Sequence, residues 1–80
     1  MFKDLEIVKL VRDHESGAKA GYIGTIVDVL TKGAYMVEFA EMKGLDAIVA
    51  PLYDKDLVIA TKEDLQSLDK KIEIYSALNI

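Results

Sequence analysis

Few residues in this 80-residue chain are of types that do chemistry. Asp13-His14-Glu15 sets the single histidine between two carboxylates, a combination suited to metal ligation or general-base work. Adjacent loop residues rarely converge on one ion, however, and Ser16 is the only nearby hydroxyl, so a solvated loop is the simpler reading. Gly21-Tyr22-Ile23-Gly24 has the G-x-x-G spacing of a phosphate loop. Such a loop needs a helix N-terminus behind it, and here a strand-like run follows. Gly21, Gly24 and Gly33 therefore read as turn and bulge glycines. Asp54 and Asp56 form a carboxylate pair, but the polar run Tyr53-Asp54-Lys55-Asp56 favours a solvated turn over acid/base chemistry. No nucleophile, base and orienting group come together, so the residues predict a non-enzyme without metal or cofactor.

Binding chemistry is the remaining possibility. Tyr22, Tyr35, Tyr53 and Tyr75 could form an aromatic platform for bases or for a proline-rich peptide. The chain has no tryptophan, which such a peptide groove normally uses, and tyrosines are common at the rim of a core. Tyr53, beside a turn, is the one expected to be half exposed. The bases Lys9, Arg12, Lys19 and Lys32 are interleaved with Asp4, Glu6, Asp13, Glu15, Asp28 and Glu38, which cancels the field a polyanion would need. Fourteen acids stand against ten bases, a net charge of −4, and the surplus lies mainly in residues 41–80, with eight acids and five bases. That balance disfavours nucleic acid and suits solubility or a basic partner.

The elements that must position these residues are short. One domain is all that eighty residues allow, with no cysteine to staple it. Residues 5–12 (LEIVKLVR) read as a first strand, followed by a polar loop ending at Gly21. Tyr22–Leu30 is a second strand, dense in β-branched residues, with Gly24 marking a bulge, a bend or a close approach of another backbone. Thr31-Lys32-Gly33 is a three-residue connection to a third strand, where Tyr35, Val37 and Phe39 share one face and Met36 and Glu38 the other. A second turn over residues 41–44 leads to a fourth strand ending near Pro51. A polar turn, 3₁₀ in character, and a short fifth strand over residues 57–60 complete a meander. Thr61, with Glu63 and Asp64 behind it, predicts a helix cap. Leu65, Leu68, Ile72 and Tyr75 then form an apolar stripe on an amphipathic helix over residues 62–78, although residues 71–75 also alternate well enough for a strand. The expectation is an all-β, five-stranded SH3-like barrel over residues 1–60 and a helix over 61–80 (α+β by content). The helix is expected to be a lid on one open end of the barrel, or a seam between two copies in a homodimer. The N-terminus carries Asp4 and Glu6 and lacks an uninterrupted apolar stretch of about seven residues, so neither a signal peptide nor a membrane span is predicted, and a cytoplasmic location is expected.

Residues 21–44 resemble a KOW-type hairpin, the strand pair of SH3-like barrels in ribosomal and transcription proteins. Over residues 4–60 the chain is similar to a small bacterial family known only as a domain of unknown function, number 4926. Lys19, Gly21, Gly24, Thr25, Ile26 and Val27 match one of its motifs; Gly33, Tyr35, Val37, Glu38 and Phe39 match a second; Asp56-Leu57 matches a later pair. The resemblance implies an SH3-like fold and leaves activity open, since one fold hosts many functions. With the charge balance, the reading is a non-enzymatic protein-binding module: a small acidic immunity-protein or antitoxin-type inhibitor of a basic partner. Its expected contacts are Glu41, Asp46, Tyr53, Asp54 and Asp56, on turns and an expected edge strand. The alternative is a KOW-like module associated with nucleic acid or the ribosome, and an accessory subunit that stabilises an enzyme also fits.

Overall fold

Alternation in Ile7-Val8-Lys9-Leu10 sends Val8 and Leu10 inward and leaves Ile7 and Lys9 outward, which defines strand β1 (Ile7–Leu10). The computed structural model describes residues 1–39 and 48–66. Four further strands follow: β2 (Ile23–Thr31), β3 (Ala34–Phe39), β4 (Ile48–Tyr53) and β5 (Leu57–Ile59). A 3₁₀ turn (Asp54–Asp56) joins β4 to β5, and residues 62–66 are helical. Every pairing is antiparallel, in the order β4-β3-β2-β1-β5. This is the small five-stranded SH3-like barrel expected, with a helix beginning after it.

The core is built from the inward face of each strand. Val8, Leu10, Ile26, Tyr35, Val37, Phe39, Leu52 and Leu57 form one buried cluster, joined by Ala18 from the loop between β1 and β2. Tyr35, Val37 and Phe39 lie on the same side of β3, as their spacing predicts, with Glu38 exposed between them. Burying a side chain of this size is worth roughly 1.5–3 kcal/mol. Phe2 and Tyr22 pack on the cluster's rim, Phe2 edge-on to Tyr35 at 5.4 Å and Tyr22 tilted against Phe39 at 6.4 Å. Pro51 lies on β4, at one edge of the sheet among the described residues, where a missing N–H is tolerated.

Several local expectations are corrected. The bulge is not at Gly24, which pairs in regular register with Val8 on one side and Phe39 on the other. Gly24 is needed for space: a Cβ there would lie 2.7 Å from the Phe39 ring and 2.8 Å from Val37 Cγ1. The register shifts fall between Ile26 and Asp28 and between Val29 and Thr31, so Val27 and Leu30 are the extra residues. Thr31 pairs with Ala34, which narrows the hairpin connection to Lys32-Gly33, with Gly33 at φ 81°. The first strand is shorter than the predicted residues 5–12, because the chain turns at Leu5. Glu6 N–H donates to Lys3 O at 3.2 Å, and Leu5 has φ 68° at the third position of that turn, where glycine is usual. Leu5 N–H donates to Ile26 O and Ile26 N–H donates to Glu6 O, so two residues oppose one and a further bulge opens β1.

Candidate functional site

The corner that carries the predicted contact residues is held from three directions. Tyr53, the last residue of β4, donates its backbone N–H to Asp56 Oδ2 at 3.0 Å, which closes the 3₁₀ turn. Asp56 Oδ1 lies 3.6 Å from Arg12 Nε, and Arg12 Nη2 donates to Lys55 O at 2.8 Å. Arg12 follows β1, so this guanidinium ties the corner to the end of that strand. Asp54 faces the other way, accepting the Tyr35 hydroxyl on Oδ1 at 2.6 Å. That hydroxyl in turn accepts the Phe2 N–H at 2.9 Å. Burial, together with the neighbouring Asp54 carboxylate, holds the Tyr35 phenol above its ordinary pKa.

The five predicted contacts therefore separate. Tyr53 is 56% exposed at the end of the edge strand. Asp54 is exposed but has one oxygen engaged by Tyr35. Asp56 is only 7% exposed, which corrects its reading as part of a solvated turn: its carboxylate is the internal cap of that turn. Glu41 and Asp46 lie outside the described residues. Val49, also on β4, is nearly as exposed as Tyr53, so the edge strand presents an aliphatic and an aromatic side chain flanked by Asp54. Val49 carried no signal in the sequence, where it reads as one more apolar strand residue.

The other candidates resolve locally. His14 Nδ1 sits 2.8 Å from Ser16 Oγ and accepts the Ser16 N–H at 3.1 Å, while Asp13 Oδ1 accepts the Ala20 N–H at 2.9 Å. Asp13 and His14 thus shape the loop. Among the described residues, no group of three or more His, Asp or Glu side chains is placed to hold a metal ion. Tyr22 and Tyr35 belong to the core and its rim, Tyr75 lies outside the described residues, and Tyr53 alone is exposed among the tyrosines described. No shared aromatic platform exists among Tyr22, Tyr35 and Tyr53. Lys9, one of the bases a polyanion would need, bonds Asp64 Oδ1 at 3.1 Å, and Arg12 is committed to the corner.

Where the helix begins, Thr61 Oγ1 accepts the Asp64 N–H at 3.1 Å and Asp64 Oδ2 accepts the Thr61 N–H at 2.9 Å, a reciprocal capping box. The Thr61 amide first and Lys9 second hold the Asp64 carboxyl below its ordinary range. Leu65, first of the predicted helical stripe, lies over the outward face of β1 and β2; Leu68, Ile72 and Tyr75 lie outside the described residues. Among the described residues no helix is long and apolar enough to cross a membrane.

A meander in this order, closed by a 3₁₀ corner, defines an SH3-like barrel domain. The chain belongs to the family described as Domain of unknown function (DUF4926), whose model matches residues 5–59. Comparison with curated proteins and with solved structures finds no match.

Proposed function

We propose that this protein is a non-enzymatic protein-binding module, acting in the cytoplasm, whose contact surface is the β4 edge and the corner after it. The observation that carries the reading is the exposure of Tyr53 and Val49 on an edge strand, beside the Asp54 carboxylate. Pro51 removes a backbone donor from this edge, so the contact rests on side chains, where tyrosine adds a large amphipathic surface at low entropic cost. The net charge of −4 favours a basic partner, whose approach it would steer. An acidic inhibitor of the immunity or antitoxin type is the sharper form of this proposal. Commitment of Lys9 and Arg12 to internal carboxylates weakens the KOW-like alternative, because it removes two bases from any phosphate-binding face.

The test is affinity capture at low salt, comparing the wild type with Tyr53→Ala and Val49→Lys. Both side chains are exposed, so each variant should melt within about 2–4 °C of the wild type, given surface effects of roughly ±0.5 kcal/mol. A stoichiometric basic protein retained by the wild type and lost from both variants is the expected result. Retention by all three would remove the β4 edge from the interface.

A further inference from the structure

The outward face of the sheet carries a second surface, distinct from the β4 edge. Ile7, Ile23, Thr25, Val27, Glu38 and Leu65 line a shallow groove there. Its volume is about 340 Å³, and an apolar cavity of roughly 150 Å³ already holds a benzene ring. Ile7, Thr25 and Glu38 form one cross-strand row from β1 to β3. A sheet face that is left to water normally alternates to polar residues; this one presents Ile7 and Val27 instead, each at least 40% exposed.

We infer that the groove is a docking site for the chain's own residues 67–80. Three observations select this occupant. Asp64 is bonded to Lys9 on the outward side of β1, and the capping box with Thr61 fixes how the chain leaves the barrel. Leu65 already lies in the groove, and Leu68, Ile72 and Tyr75 continue its three- and four-residue spacing. A helix from Leu65 to Ile72 would reach about 10 Å, which matches two strand spacings of about 4.8 Å from β1 to β3. Lys70 and Lys71 also supply positive charge to a face whose Glu38 is exposed. A tethered segment needs no second molecule, so its effective concentration at the groove is of millimolar order.

The chain lacks cysteine, which makes the test direct. Val27→Cys with Ile72→Cys places one thiol in the groove and one in the segment; Lys19→Cys with Ile72→Cys is the control, its first thiol in the β1–β2 loop. Each full-length pair is treated with a short bismaleimide at low protein concentration, and products are resolved by mass. Thr25→Cys replaces Val27→Cys if the first pair melts early. The expected result is an intramolecular cross-link that forms at least tenfold faster for the groove pair than for the control. A cross-linked dimer as the main product would assign the groove to a second copy and overturn the inference. Equal rates for the groove and control pairs would overturn it as well.

Discussion

The Tyr35 hydroxyl donates to the Asp54 carboxylate at 2.6 Å and accepts the Phe2 amide at 2.9 Å, so one buried phenol joins the N-terminal segment, β3 and the 3₁₀ corner. Asp54 adjoins Tyr53 on the proposed contact surface. Its geometry is therefore set from the core, through a side chain that no partner would touch.

Removing that hydroxyl should loosen the corner without emptying the core. Tyr35→Phe is expected to lower Tm by roughly 5 °C, the scale for one lost hydrogen bond in a domain of this size. Asp54→Asn should cost less, and the double variant should cost less than the two single changes added together, because both act on one bond. Thermal melts of the four proteins check this; strict additivity would show that the bond contributes nothing.

Stability should fall at both pH extremes for separate reasons. Tyr35 has its folded pKa raised, so its contribution is complete below the ordinary tyrosine value near 10 and is lost as pH rises through the higher folded value. Asp64 has its folded pKa lowered, so its contribution is present above the ordinary value of 3.8 and is lost as pH falls through the folded one. Melts from pH 2 to 11 should show Tyr35→Phe flattening the alkaline limb and Asp64→Asn flattening the acid limb. Unchanged limbs would assign the transitions to other groups.

Gly24 leaves no room for a side chain. Gly24→Ala places a Cβ against Phe39 and Val37, and the expected cost is about 1–3 kcal/mol by urea denaturation, with the m-value unchanged. A neutral substitution would mean that the Phe39 ring moves aside freely.

Leu5 is the opposite case. It adopts φ 68° while 76% exposed, so its side chain adds little burial to offset the strain. Leu5→Gly should raise stability by about 0.5–1 kcal/mol, the relief of the left-handed conformation exceeding the added unfolded-state entropy. A loss of stability would show that the leucine side chain packs on the N-terminal turn.

Strands β2 and β3 and the core face of β3 are legible in the sequence because β-branched density and a period of two act over neighbouring residues. The same holds for the Thr61 cap, whose partner is three residues away. Nothing local announces that Tyr35 will meet Asp54, nineteen residues on, or that Arg12 will reach Asp56. The bulges at Val27 and Leu30 are equally silent, since each is an apolar residue that suits either side of a pleat. Asp56 carries the same lesson into the candidate site: composition marks an acidic turn, and only the three-dimensional register separates its cap from its exposed neighbour Asp54. Asp56→Ala should accordingly cost about 1–2 kcal/mol of stability, as loss of a cap does, and is a poor probe of binding.

Protein binding itself is tested most directly by native mass spectrometry of the tagged protein captured from its host at low salt, with the 260/280 nm absorbance ratio of the eluate. The expected result is a stoichiometric complex with a basic protein, which dissociates as salt rises and is absent for Tyr53→Ala. A nuclease-sensitive absorbance surplus with no protein partner would contradict protein binding and move the KOW-like reading to the front.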